Sequence, residues 1–389
     1  MMYIRSIETI PVAVPLMKPF KTALRTVHTA DAVYVKVTCD NGCVGWGEAV
    51  PTHVITGDSV GSITFAIEEV IAPQLIGLDI RQREVLFHAF KRSIVRNTSA
   101  KAAVDMAIYD LLGQLAGMPL YQLLGGFRQA IETDFTVSVN NAAEMADDAE
   151  RYVADGFNVL KVKVGIGAIS EDIARIKAIR ERVGSAPTIR LDANQGWQAK
   201  EAVRAIRLLE DAGLAIELIE QPVLADDIEG LKFVTDNTMT PIMADESVFS
   251  AKDALRILQL RAADLLNIKL MKSGGIHKAL KINALAESFG VECMVGSMIE
   301  TKLGVTAAAH FAASQPNVTR FDLDAPLMLA QDIVVDGIVY EGKIIHLPKT
   351  SGLGLDATRM ELIGKEGEGS EHVVLCGPGA DDVDVTQIC

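Results

Sequence analysis

Charged residues interrupt apolar runs of this chain at regular intervals. Leu160-Lys161-Val162-Lys163-Val164 places two lysines two apart in a Val-rich stretch, so an extended backbone turns both to one face. Asp192, Glu220 and Asp245 each end an apolar run, in Arg190-Leu191-Asp192-Ala193-Asn194, Leu218-Ile219-Glu220-Gln221-Pro222 and Met243-Ala244-Asp245-Glu246-Ser247. Lys269 follows Asn267-Ile268 in the same manner and opens into Leu270-Met271-Lys272-Ser273-Gly274-Gly275. A lysine goes inside a protein only with a partner. Three carboxylates cannot share a pocket unpaired, and a hard cation that prefers oxygen ligands, such as Mg²⁺, accounts for them economically. The competing readings are a structural ion-pair network between the acids and the lysines and, for the lysine pair alone, a solvated strand edge. Lysines on opposite walls, with carboxylates between them, could handle a proton on either face of a metal-bound carboxylate substrate, which points to racemisation or epimerisation. Free lysine, with a pKa near ~10.4, is mostly protonated at neutral pH; a nearby cation and neighbouring ammonium groups lower that value.

For these residues to meet, the elements carrying them must repeat. One polar residue per run end gives Lys163, Asp192, Glu220, Asp245, Lys269, Ser297 and Asp322, separated by 29, 28, 25, 24, 28 and 25 residues. Each interval fits a strand, a helix and two short loops. Eight strands are predicted, over 133–139, 159–164, 188–193, 216–220, 241–245, 265–270, 292–297 and 318–324. Alternating strands and helices argue for parallel pairing, and eight strands argue for an α/β architecture of the (β/α)7β TIM-barrel type, in which chemistry belongs at the C-terminal strand ends. The first 125 residues have a different grammar. Alternating apolar residues and a hairpin (32–37, then 44–46 after Asn41-Gly42) are followed by helical stretches over 62–72, 81–94 and 99–116, which reads as a small α+β domain. The division is thus a capping domain at 1–125, a catalytic barrel at 126–324, and a C-terminal segment at 325–389 that returns to the capping domain and ends in a loose Gly-rich tail from Lys365.

Composition narrows the function. Of 389 residues, 37 are Lys or Arg and 51 are Asp or Glu, a formal charge of −14, which repels phosphate backbones and argues against a nucleic-acid partner. No apolar run approaches the ~20 residues of a membrane span, and the start lacks the pattern of a secretory signal. A cytoplasmic protein without membrane partners is expected. Five widely spaced cysteines favour neither a disulfide framework nor a zinc site; Cys39 and Cys43 flank a turn at Asp40-Asn41-Gly42.

The set Lys161-x-Lys163, Asp192-x-Asn194, Glu220-Gln221-Pro222, Asp245-Glu246-Ser247 and Asn267-x-Lys269 resembles the muconate-lactonizing subgroup of the enolase superfamily. No histidine stands on the seventh strand, where the mandelate-racemase subgroup carries its base. The resemblance implies that Asp192, Glu220 and Asp245 hold Mg²⁺. It also implies that the metal and Lys161 bind the substrate's α-carboxylate, and that Lys163 and Lys269 exchange the α-proton from opposite faces through an enolate. Asn194 and Glu246 then support the metal ligands from behind.

Three features bear on the substrate. Arg320-Phe321-Asp322-Leu323-Asp324 ends the eighth strand with two acids on one face; such a pair could hold an ammonium, or could merely cap a helix or anchor the tail. Asp-x-Asp at this strand resembles the feature by which dipeptide epimerases grip a free α-amino end. Arg25, in a loop spanning 19–26, is either an exposed arginine or a bidentate partner for an acidic side chain, and the whole stretch resembles the lid of L-Ala-D/L-Glu epimerases. Thr136 and Ser297 are candidate substrate contacts, and Met298 and Phe20 candidate pocket walls. The reading is a Mg²⁺-dependent isomerase that epimerises a dipeptide at its C-terminal residue, favoured substrate L-Ala-D/L-Glu. The alternatives are an o-succinylbenzoate synthase, a muconate cycloisomerase or an N-acylamino acid racemase of the same subgroup, and, from another class, a catalytically silent ligand-binding barrel. The family also implies a homo-oligomer and a place in peptidoglycan-peptide metabolism.

Overall fold

In the computed structural model, which describes residues 2–356 and 359–360 and the backbone of 373–374, the alternating N-terminal segment forms an antiparallel sheet. Its strands are β1 (Ile4–Lys21), β2 (Thr26–Cys39) and β3 (Val44–Ala49). The β1–β2 ladder continues to Phe20–Val27 and Lys21–Thr26, so the loop expected over 19–26 shrinks to four residues, 22–25. Its turn is closed by the Thr22 N–H donating to the Arg25 carbonyl at 2.9 Å, and the Thr22 hydroxyl accepts from the Leu24 and Arg25 amides. At the other end Gly42 takes φ +85° in the β2–β3 turn, a left-handed position that suits glycine. Cys39, Cys43 and Cys293 are free thiols; Cys376 and Cys389 lie outside the described residues.

Helices cover one side of this sheet. α1 (Val60–Phe65) continues through a π-helical stretch (Ala66–Ile71) into α2 (Ala72–Leu75), and α3 (Arg83–Ser93), α4 (Thr98–Ala116) and α5 (Leu120–Leu123) follow. α4 is buried along nearly all its length and ends at Gly117 in the left-handed conformation, a common helix stop. β3 lies directly on it. A Cβ on Gly45 or Gly47 would fall 2.2 Å from the Ala107 carbonyl oxygen or 2.0 Å from that of Ala103, so only glycine permits the approach.

After the short β4 (Ala130–Glu132), eight parallel strands run in chain order around one sheet: β5 (Phe135–Val137), β6 (Val159–Lys163), β7 (Thr188–Asp192), β8 (Ile216–Glu220), β9 (Ile242–Ala244), β10 (Leu265–Ile268), β11 (Cys293–Gly296) and β12 (Val318–Asp322). The connecting helices are α6 (Ala142–Ala154), α7 (Ile169–Val183), α8 (Ala199–Asp211), α9 (Ile228–Asn237), α10 (Ala251–Leu260), α11 (Leu270–Ser273) with α12 (Ile276–Ser288), and α13 (Lys302–Ser314). This is the (β/α)7β architecture. β5 and β12 meet through the Asp134 N–H donating to Phe321 O at 3.2 Å and the Leu323 N–H donating to the Thr133 hydroxyl at 2.9 Å. An ion-pair layer of Asp134, Arg190, Glu217 and Arg320 lies inside the barrel below the strand ends, with Arg190 3.0 Å from Asp134 and 2.6 Å from Glu217.

The C-terminal segment makes a 3-10 turn (Ala325–Met328) and a bridge from Leu329 to Leu16. It then forms β13 (Val339–Glu341) and β14 (Ile344–His346), an antiparallel pair whose β14 also pairs with β4. The Leu353 N–H donates to Asp110 of α4 at 2.8 Å. β15 (Val373–Val374) pairs in parallel with β1 at Val12 and Ala13; the rest of the tail from 365 lies outside the described residues. Among the described residues no helix is long and apolar enough to cross a membrane.

The β3–α4 contact makes a stability prediction. Gly47→Ala, which forces a methyl against the Ala103 carbonyl, is expected to cost about 3 kcal/mol. Gly61→Ala, in α1 with nothing within 4 Å of its added methyl, should gain about 0.5–1 kcal/mol. Urea unfolding of both variants checks this, and an unchanged midpoint for Gly47→Ala would contradict the close approach.

Candidate active site

The charged residues singled out in the sequence converge at the C-terminal mouth of the barrel. Lys161 and Lys163 share the inward face of β6, while Asp192, Glu220 and Asp322 end β7, β8 and β12. Asp245 and Lys269 stand one residue beyond β9 and β10. Local backbone turns fix those ends. Asn194, Gln195 and Gln221 adopt φ of +40°, +67° and +36°, a strained clustering of non-glycine residues of the kind found at functional sites. Gln221 ties two strands together, its Oε1 accepting from the Asp245 amide at 2.9 Å and the Ser247 amide at 3.2 Å. The Asn194 N–H donates to Asp192 Oδ1 at 2.9 Å, and its side-chain amide donates to Glu246 Oε1 at 3.2 Å.

The solvated-edge reading of the lysines is excluded by burial: Lys161 is 1% exposed and Lys163 6%. The Lys161 ammonium sits 2.6 Å from Asp322, 2.8 Å from Glu220 and 3.2 Å from Asp192. Lys163 lies 2.6 Å from Asp192, and Lys269 2.8 Å from Asp245. Lys272, to which spacing in the sequence attaches no role, reaches Asp245 Oδ1 at 2.5 Å and also donates to the Asp245 and Asn267 carbonyls. Lys161, Glu220, Asn267 and Asp322 come from the second, fourth, sixth and eighth barrel strands, with Asn267 donating to Glu220 at 2.8 Å. Alternate strands thus fill one layer, as barrel interiors do, here with polar groups.

The charges do not cancel. The buried mouth holds six carboxyls (Asp192, Glu220, Asp245, Glu246, Asp322, Asp324) and four ammonium groups (Lys161, Lys163, Lys269, Lys272), so 4 − 6 leaves a formal −2. Burial would raise Asp192, but Lys163 and Lys161 overcome it and hold that carboxyl at about 2. Asp245 is likewise held low against burial, by Lys269 and Lys272. Burial together with the neighbouring anions pushes Glu220 up to about 7, Glu246 to about 8 and Asp324 to about 7. Glu246 Oε2, Asn194 Oδ1 and Asn267 Oδ1 are buried acceptors without a donor. A surplus of two negative charges and unpartnered oxygens fit a hard divalent cation.

Three carboxylates whose oxygens lie within 4.8 Å of one another are Asp134, Asp322 and Asp324, not the expected triad, because lysine ammonium groups stand among Asp192, Glu220 and Asp245. Asp134 is paired with Arg190, and Asp324 accepts from the Thr136 N–H at 2.6 Å. Asp324 therefore also helps close the barrel, a role its sequence position did not reveal.

Above the charged layer lies a cavity lined by Arg25, Thr136, Lys163, Asn194, Lys269, Ser297, Met298, Asp322, Asp324 and Phe20, among others. The Lys163 ammonium lies 5.8 Å from the Phe20 ring centre. Lys161, Asp192, Glu220, Asp245 and Glu246 lie outside this lining. Arg25 is half-buried, and burial lowers its pKa against the pull of Asp31, so the exposed-arginine reading fails. Val54, Ile55, Ile299 and Met328 also line the cavity. They were missed because they sit in loops and a 3-10 turn, with no periodicity to mark them.

Known proteins agree with this geometry. Residues 4–125 match the mandelate racemase / muconate lactonizing enzyme N-terminal domain, and residues 144–361 match the enolase C-terminal domain-like family. The L-Ala-D/L-Glu epimerase of Bacillus subtilis is 62% identical over 354 residues, covering 91% of this chain and 97% of the relative. A solved structure of a substrate-liganded complex of the B. subtilis epimerase superposes with a TM-score of 0.90, covering 91% of this chain and 99% of that one. A dipeptide epimerase from Enterococcus faecalis, solved with Mg and L-Leu-L-Tyr, is 45% identical with a TM-score of 0.88, covering 91% of this chain and all of that one. Like these epimerases, the protein is an isomerase. The chain belongs to the mandelate racemase / muconate lactonizing enzyme family of the enolase superfamily.

Proposed function

We propose that this protein is a Mg²⁺-dependent dipeptide epimerase that inverts the α-carbon of the C-terminal residue, with L-Ala-D/L-Glu as its favoured substrate. One observation carries the reading: a single cavity is lined by two lysines from opposite strands, Lys163 and Lys269, together with Asp322, Asp324 and Arg25. The names of the similar epimerases support it. Lys163 and Lys269 take and return the α-proton from opposite faces. Lys161 neutralises the α-carboxylate from below, Asp322 and Asp324 take the α-ammonium, and Arg25 takes the distal carboxylate. Thr136 and Ser297 contact the backbone of the dipeptide, while Met298 and Phe20 limit its side chains. Asp192, Glu220 and Asp245, backed by Asn194 and Glu246, would hold Mg²⁺, which when bound supplies positive charge at the α-carboxylate as the α-proton leaves.

Proton NMR of L-Ala-L-Glu with the protein and Mg²⁺ in D₂O tests the reaction. Loss of the glutamyl α-proton signal with growth of L-Ala-D-Glu is expected, and absence of both, on this and on a panel of other dipeptides, would overturn the proposal. Lys269→Ala should abolish epimerisation in both directions while exchange at one face survives; epimerisation at the wild-type rate would remove Lys269 from its role. Asp322→Asn separates this reading from an N-acylamino acid racemase, whose substrates carry no ammonium. A fall of at least about 100-fold in kcat/KM is expected, as for loss of a buried charged partner, and full activity would contradict a dipeptide substrate. Calorimetric titration should find one Mg²⁺ per chain, weakened at least about 100-fold by Asp245→Asn; equal affinity in the variant would place the ion elsewhere.

A further inference from the structure

The wall of the cavity is held from outside the barrel. Ser297, Met298 and Ile299 line the cavity from the loop between β11 and α13. That loop runs into α13 through Glu300 and Thr301, both 1% exposed. A helix needs acceptors for its first amides, and Thr301, at the N-cap of α13, supplies none from its own side chain. Glu48 of β3 supplies them instead. It accepts from the Thr301 amide at 2.8 Å, the Thr301 hydroxyl at 2.6 Å and the Gly304 amide at 2.7 Å. Tyr34, directly opposite Glu48 on β2, places its hydroxyl 2.7 Å from the Thr301 hydroxyl. One end of the loop is tied by Glu300, whose carboxylate accepts from the Met298 amide at 2.9 Å.

Nothing about Glu48 looks like ordinary stabilisation by an ion pair. It is fully buried, and the donors it accepts from are two backbone amides and a hydroxyl. Burial pushes its carboxyl up to about 7 against the three donors, and burial with Glu48 nearby pushes Glu300 up to about 8. Gly304 makes room for both acids, since a Cβ there would lie 2.5 Å from Glu300 Oε2 and 3.1 Å from Glu48 Oε2. Glu48 also sits in the sheet whose β1–β2 turn carries Arg25. The same sheet thus holds the Arg25 side of the cavity directly and the Ser297–Ile299 side through one carboxylate.

We propose that Glu48 is a positioning residue that locks the Ser297–Thr301 wall to the sheet bearing Arg25, and so sets the fit of the substrate's side chains without touching the reacting atoms. The inference rests on the dipeptide-epimerase reading for its kinetic test, but not for its structural one. Contacts to substrate side chains act alike on ground and transition states, so their loss raises KM and leaves kcat in place. The lysines and metal-ligand candidates are fixed by the strand ends and Gln221, which Glu48 does not contact.

The test uses the full chain with Mg²⁺. Glu48→Gln keeps the volume but turns an N–H₂ group toward amides that need an acceptor. It is expected to raise KM for L-Ala-L-Glu about tenfold with kcat within about threefold, and to speed hydrogen exchange at the Thr301 and Gly304 amides at least about tenfold. Thr301→Val, which removes only the hydroxyl link to Glu48 and Tyr34, should move KM in the same direction. Thr301→Ser, which restores that link, should return it to the wild-type value. Wild-type KM with unchanged exchange at both amides in Glu48→Gln overturns the proposal, as does a loss confined to kcat. If the wild-type protein turns over no dipeptide, the function reading fails, and exchange at Thr301 and Gly304 alone decides the role of Glu48.

Discussion

Four ammonium groups placed out of water in a barrel mouth must be compensated, and most of the site's architecture follows from that requirement. Removing an ion from water costs several kcal/mol even after relaxation, so each lysine needs an acid within contact distance and each acid needs a fixed backbone behind it. Lys161 has three carboxylates around it, and Lys163, Lys269 and Lys272 have Asp192 or Asp245. The acids are in turn held by strand ends, by Gln221 and by the left-handed turns at Asn194 and Gln195. An ion-pair network and the proposed metal site are therefore not rival descriptions here. The same carboxylates serve the lysines, and the two-charge surplus of acid over base is what distinguishes this mouth from a neutral structural network.

Burial, with the neighbouring anions, pushes Glu220, Glu246 and Asp324 up, while lysines hold Asp192 and Asp245 down against burial. Asp192 and Asp245 each contact two lysines, whereas Glu220 contacts one and burial and the neighbouring anions outweigh it. A cation that balances the surplus would act on this whole set at once.

The capping domain completes what the barrel begins. Two barrel helices that follow site-bearing strands start on its carboxylates: Asp105 of α4 accepts from the Ile276 and His277 amides of α12, and Glu48 of β3 accepts from Thr301 and Gly304 of α13. Asp110 does the same for the returning C-terminal segment at Leu353. The glycines at 45 and 47 let β3 lie against α4 closely enough to place these acids. On the proposed reading, chemistry belongs to rigid strand ends, and the fit of the substrate to a turn and loops held between the two parts.

The sequence by itself determined the repeating strand–helix order, the number of barrel strands, and the set of lysines and carboxylates at their ends. These are readable because strand alternation and βα spacing are local, and because a charge inside an apolar run is visible wherever it occurs. It also marked Arg25 and the Asp322–Asp324 pair as candidates. Only the tertiary structure decided that Arg25 sits half-buried on a four-residue turn, that Asp324 spends one oxygen on the Thr136 amide, and that Lys272 joins the charged cluster. Only it brought Val54, Ile55, Ile299 and Met328 to the cavity, and Glu48 to Thr301 across 253 residues. Those pairings depend on how the capping domain docks on the barrel, and a contact between residues so far apart in the chain leaves no periodic trace in either segment.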